Sequence, residues 1–200
     1  MSKLLTPLIS LSFIALAACG AKSVPEKTGP WSLVPKQSNI SYVTIKNGSL
    51  GETNTFSMLS GEVSEGGNAE FVVYLDSVDT ANEIRDPRMR EFLFKTDQFP
   101  TAKASANLNM SQISNLAISQ TKSLPVELTV DLHGITEVFD IEMNVTRVGV
   151  NKVRVDNKMP LLIDAEDFGF EAGLAKLQSL AELESISPAV SVTVALMFER

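Results

Sequence analysis

From Trp31 onward the chain alternates apolar and polar positions with period two, the pattern of strands buried on one face. Val126, Leu128, Val130 and Leu132 fall to one side, and Glu127, Thr129, Asp131 and His133 to the other. Gly134 turns the chain, after which Phe139, Ile141, Met143 and Val145 repeat the alternation against Asp140, Glu142, Asn144 and Thr146. Near the C-terminus Val190, Val192, Val194, Leu196 and Phe198 oppose Ser191, Thr193, Ala195 and Met197, and earlier Phe71, Val73 and Leu75 oppose Glu70, Val72, Tyr74 and Asp76. The pattern predicts strands over about 38–47, 53–64, 69–78, 101–110, 124–134, 136–147, 152–163 and 188–199. Eight strands in hairpin order, each with one apolar face, are best served by a sheet closed on itself. The reading is therefore mainly β: an eight-stranded antiparallel barrel.

Two segments break the period and predict short helical insertions. In 81–95, Asp86 is placed as an N-cap, Pro87 at the first helical position, and Phe92 with Leu93 on one side. In 167–183, Phe170, Leu174, Leu177 and Ala181 recur at helical spacing. Each insertion falls between strands, where a helix can lid a barrel mouth. The polar faces carry Glu127 with Asp131, Asp140 with Glu142, and Lys152 with Arg154. Charges on the lipid face of a membrane barrel cost kilocalories each, so these faces look into water and the apolar faces look inward.

An eight-stranded barrel is near the size at which its interior is either filled by side chains or holds one small ligand. The apolar face of 101–110 carries Ala102, Ala104, Ala106, Leu108 and Met110, and three successive alanines leave room that Val or Ile would fill. Phe71, Val73, Leu75, Leu128, Val130, Phe139, Ile141, Val192 and Val194 complete the candidate lumen lining, none of them charged. Such a lumen, roughly 25 Å tall for strands of this length, suits a long apolar ligand. Periodicity alone admits the other outcome equally: a narrow barrel whose alanines make room for a core aromatic.

Charge and rare residues narrow the chemistry. Lys and Arg number 17 against 24 Asp and Glu, a net charge of −7, with no basic run to neutralise phosphates, so nucleic acid is excluded as a partner. One His and one Cys leave no His/Cys metal site and no internal disulfide. The single cysteine has its own explanation. Lys3 is followed by an uncharged run, Leu4 to Ala18, of about 15 residues: short for a membrane span and fitting for a signal-peptide core. It ends Leu16-Ala17-Ala18-Cys19-Gly20, which resembles the bacterial lipobox. That resemblance implies cleavage before Cys19, a diacyl anchor on its sulfur that holds the membrane stably, and, with Gly20 rather than Asp next, passage to the outer membrane. Residues 1–18 are thus expected to be a lipoprotein signal peptide, 19–30 a lipidated N-terminus and flexible tether, and 31–200 the barrel.

The segment from Ser77 through Thr80, Asn82, Arg85-Asp86-Pro87 and Arg90, continued by Phe92-Leu93-Phe94 and closing at Phe99-Pro100, resembles the YceI-like family. So do Trp31, Ser38 to Asn47, Leu132-His133-Gly134-Ile135-Thr136, and Asp167-Phe168-Gly169 with the helix behind it. The likeness runs from Trp31 to the C-terminus. It implies a lipocalin-like barrel, exported to the periplasmic side of the envelope, that binds a polyisoprenoid such as ubiquinone or a related long-chain lipid, with no cofactor required and no established catalysis. It also implies a mouth or lid formed by Thr80, Asn82, Arg85, Asp86, Phe92, Leu93 and Phe94. Two departures stand out: Phe92 and Phe94 flank Leu93 where many members carry Asp-Phe-Phe-Asp, and Glu137-Val138 replaces a basic residue and Pro.

No residue demands catalysis or a metal. Arg85 has two readings: donor to a lipid head group at the mouth, or partner of a carboxylate within the protein. Asp164, Glu166 and Asp167 lack EF-hand spacing and fit the positive end of the following helix. His133, with Ser123 and Asp131 near it in sequence, has no GxSxG elbow and reads as a solvated hairpin histidine. The methionines read as adaptable filling. The expected function is binding, sequestration or transport of an isoprenoid lipid; the rivals are a filled-barrel interaction lipoprotein and a lipid-modifying hydrolase. A homodimer is left open.

Overall fold

The computed structural model describes residues 25–200. Its strands are β1 (Trp31–Leu33), β2 (Asn39–Lys46), β3 (Leu50–Phe56), β4 (Leu59–Val63), β5 (Asn68–Tyr74), β6 (Val78–Asp79), β7 (Thr101–Asn107), β8 (Thr121–Leu132), β9 (Ile135–Gly149), β10 (Lys152–Asn157), β11 (Leu161–Asp164) and β12 (Ala189–Glu199). They make eight staves, because three of the expected strands are each kinked into two and a fourth stave is made of β1 followed by β2. A 3-10 turn at Pro35–Gln37 separates β1 from β2, and another at Leu75–Ser77 separates β5 from β6. Proline has no amide to give a ladder, so Pro35 and Pro160 both sit at such breaks. The short strand β1 lies outside the eight expected ranges; its three residues are too few to show a period.

Every ladder is antiparallel, and the ring closes on β12. One edge of β12 pairs with β10 (Val153↔Phe198) and β11 (Leu161↔Val192); the other pairs with β1 (Leu33↔Phe198) and β2 (Val43↔Ser191). The expected eight-stranded antiparallel barrel is the observed fold.

Three helices lie at the two ends. Over the upper end sit α1 (Arg85–Arg88), which runs on into a π-helical turn at Met89–Phe94, and α3 (Glu171–Leu180). The lower end holds α2 (Met110–Ser114), a helix beyond the two expected, which begins at the last residue of the expected 101–110 strand; Asn109 caps it by accepting from the Ser111 amide at 3.1 Å. Asp86 is not the N-cap that the sequence suggested. Asn82 does that work, its Oδ1 accepting from the Ile84 and Arg85 amides, while Asp86 Oδ1 accepts from the amide and hydroxyl of Thr80. Gly173 seats α3 on the lid, since a Cβ there would stand 2.7 Å from the Phe92 carbonyl oxygen. Phe168, with no exposed surface, anchors the connection before α3.

The lower end is sealed by a buried arginine. Arg147 donates to the carbonyl oxygens of Ser114, Gly149 and Val150 and to Glu26, whose carboxylate also takes Arg200 at 2.7 Å. Arg147 first, and Arg200 with it, hold the Glu26 carboxyl below the usual carboxylate range. Asn151 clasps the same segment, accepting from the Lys27 amide and donating to the Pro25 carbonyl. Residues 25–27 of the expected tether are therefore fixed to the barrel. Cys19 and the rest of the expected signal and tether segments lie outside the described residues. No helix among the described residues is long and apolar enough to cross a membrane.

Candidate functional site

The interior is hollow. An upper cavity of about 260 Å3 lies beneath α1 and α3, and a lower one of about 160 Å3 lies above α2. They adjoin, sharing Phe71, Ala104, Leu128, Leu161, Val192 and Val194 in their walls. Val73, Leu75, Ala102 and Val130 line the upper cavity, and Ala106, Leu108 and Ile141 the lower one. The alanine stripe on β7 makes this room: Ala104 stands opposite Phe71 on β5 and Val130 on β8, so two bulky neighbours face a methyl group. Phe139 is the exception among the expected lining residues. It packs against the core but borders neither cavity.

The lid sorts its residues by π-helical geometry. Bonds from i to i+5 place Met89 and Phe94 one above the other, and both, with Leu93, look into the upper cavity. Phe92 is turned away and lies under the Lys176 ammonium of α3, 5.4 Å from its ring centroid. Thr80 and Arg85 line the cavity as expected; Asn82, Asp86 and Phe92 do not, because they fix the lid's own turns and outer face. Arg88 ties α1 to α3 by donating to the Leu180 carbonyl at 3.2 Å.

Alternation by apolarity missed one wall. Ile40, Tyr42, Thr44 and Lys46 of β2 and Asn54 and Phe56 of β3 all line the upper cavity. Their period of two is visible in the sequence, but four of the six are polar, so their face does not read as inward. Polarity rises along this wall from Ile40 and Phe56 toward Lys46 at the rim. There Glu52 accepts from both Lys46 and Arg85. Lys46 chiefly, with Arg85, holds the Glu52 carboxyl below its usual range against the opposing effect of burial. Of the two readings of Arg85, the intramolecular partner is observed, and the side chain still borders the cavity.

Aromatic rings roof the lumen in a chain. Tyr42 stacks on Phe56 at 5.4 Å, Phe56 meets Phe94 at 5.7 Å, and Phe94 meets Phe170 edge-on at 5.9 Å. The chain ends on His133, held between Phe170 and Phe99 at 4.7 and 4.4 Å. His133 is thus not a solvated hairpin residue. Its Nδ1 lies 3.0 Å from the Phe168 carbonyl oxygen, and its Nε2 is buried with no partner in the protein. The turn explains the placement: His133 and Gly134 both take positive φ, 56° and 78°, the two-residue hairpin geometry that swings the ring back under the lid. Ser123 sits at the far end of the same strand, roughly 30 Å away at strand rise, so it forms no nucleophile–base pair with His133.

Residues 31–198 match the family model of the YceI-like domain. The chain belongs to the YceI-like family. A polyisoprenoid-binding domain from Saccharophagus degradans, implicated in plant cell wall breakdown, is 36% identical and superimposes with a TM-score of 0.83, over 84% of this chain and 97% of that one. BcnA from Burkholderia cenocepacia shares the fold at 17% identity and a TM-score of 0.64, over 82% of this chain and 98% of its own. No curated relative matches in sequence. The YceI-like barrel here thus has a hollow interior lined largely by apolar residues, with Lys46 and Arg85 paired to Glu52 at its rim.

Proposed function

We propose that this YceI-like barrel binds and carries a long-chain isoprenoid lipid of ubiquinone type, held in the envelope by a lipid on Cys19. The observation that carries the reading is the pair of adjoining apolar cavities running from the lid to α2. The polyisoprenoid-binding relative supports the ligand class. Burial of the prenyl tail supplies the driving force, at about 25 cal/mol for each Å2 of apolar surface removed from water. The tail threads past Ala104 toward Trp31, and the head stays near the rim. The lid of α1, the π turn and α3 governs exchange. Any redox chemistry of a bound quinone is then the quinone's own. The lipobox resemblance and apolar leader support an outer-membrane lipoprotein facing the periplasm.

Trp31, the one tryptophan of the chain, lines the lower cavity and reports on how deep a tail reaches. Titration with prenyl alcohols of increasing length is expected to leave Trp31 emission unchanged for two-unit chains. Emission shifts once the tail passes the Ala104 junction. A tryptophan signal indifferent to every chain length, with no binding by calorimetry, overturns the proposal.

A further inference from the structure

Tyr42 on β2 stands directly across the ladder from Asn54 on β3, and both side chains line the upper cavity just below the charged rim. Both are more than nine-tenths buried, with 7% and 2% of their surface exposed. Thr44 and Thr80, in the same wall, have their hydroxyls engaged within the protein: Thr44 Oγ1 accepts from Asn54 Nδ2 at 3.3 Å, and Thr80 Oγ1 donates to Asp86. Tyr42 Oη and Asn54 Oδ1 find no protein partner at all. Buried polar atoms without partners destabilise a fold, and side by side in a ligand cavity they mark where a ligand's polar atoms belong.

Their chemistry defines that ligand. Burial pushes the Tyr42 phenol above its usual range, so it remains a neutral hydrogen-bond donor. The Asn54 amide is neutral and offers either of its ends, since the bond to Thr44 can be made by the nitrogen or the oxygen. Four cations border this cavity: Lys46 and Arg85 share Glu52, Arg88 donates to the Leu180 carbonyl, and Lys103 is exposed. Beside a neutral phenol and a neutral amide, a diphosphate would have to draw one of these cations from its present partner or from solvent, whereas a carbonyl meets a donor and needs no counter-ion.

Resting on the lipid-binding reading above, we infer that Tyr42 and Asn54 form a head-group subsite for an uncharged, carbonyl-bearing isoprenoid. It selects ketone and quinone heads over prenyl diphosphates. It also orients the ligand, head beneath the lid and tail toward α2.

The test compares three ligands with the same tail: geranylgeranylacetone, its ketone-free hydrocarbon analogue, and geranylgeranyl diphosphate. Affinities are read by displacement of a fluorescent polyene from wild type and from Tyr42→Phe, which removes only the hydroxyl. Wild type is expected to prefer the ketone over the hydrocarbon by about tenfold, the scale of one buried hydrogen bond, and to bind the diphosphate weakest. Tyr42→Phe erases the ketone preference and leaves hydrocarbon affinity unchanged. Asn54→Leu, close in size, weakens the ketone in the same direction. Equal ketone preference in wild type and Tyr42→Phe, or tighter binding of the diphosphate, overturns the subsite while leaving lipid binding intact. Failure of wild type to bind any of the three overturns the lipid-binding reading and the subsite with it.

Discussion

Replacing Ala104 with Trp is expected to cut isoprenoid uptake by more than tenfold while changing the melting temperature by only a few degrees. Ala104 is one of six residues shared by the walls of both cavities, so an indole placed there fills the junction through which a long tail must pass. In a close-packed core the same substitution would force neighbours off their rotamers and cost roughly 1–3 kcal/mol or more. Here the added atoms enter existing space beside Phe71 and Val130, and the apolar surface they bury offsets the strain. Binding and stability therefore separate, which they would not in a filled barrel. The measurement is paired: uptake of a long-chain isoprenoid by calorimetry, and melting by circular dichroism. Undiminished uptake shows that Ala104 does not face the lumen; a collapse in stability shows that the space around it is already occupied.

Phe168→Ala is expected to give the largest loss of stability, roughly 3–5 kcal/mol, or about 10 °C in melting temperature. Phe168 has no exposed surface, and its carbonyl is held by His133 from the β8–β9 hairpin. The same short turn ends at Gly169 with φ of 68° and delivers Phe170 to the aromatic chain and to the start of α3. Truncating the ring removes the wedge that fixes the lid helix to the barrel, so the loss combines transfer and cavity terms. Urea denaturation checks the value. A loss below about 1 kcal/mol would show that the lid connection relaxes freely and does not share the barrel's core.

The contrast between these residues shows what could be read from the chain. Ala102, Ala104 and Ala106 were legible because a period of two with small residues has few meanings in a barrel. Arg85 and its neighbours were legible through the family resemblance, though not the partner of each. Tyr42 and Asn54 were hidden by their polarity: alternation separates apolar from polar faces, and an inward wall that grades from Ile40 to Lys46 defeats that rule. His133 and Phe92 were misplaced for geometric reasons. A positive-φ hairpin and a π-helical turn rotate side chains away from where strand and α-helix periods put them. The kinks that divide four staves follow local turns, some at Pro35 and Pro160 where proline marks them and some at Leu75–Ser77 where nothing in the pattern does.

Native mass spectrometry of the protein purified from its own host, followed by organic extraction of whatever it carries, puts the occupied lumen to its plainest test. The mass is expected to exceed that of the polypeptide and its anchor by one neutral isoprenoid, and the extract to contain that lipid in near-equimolar amount. A bare mass, together with no uptake of added ubiquinone, would contradict the account.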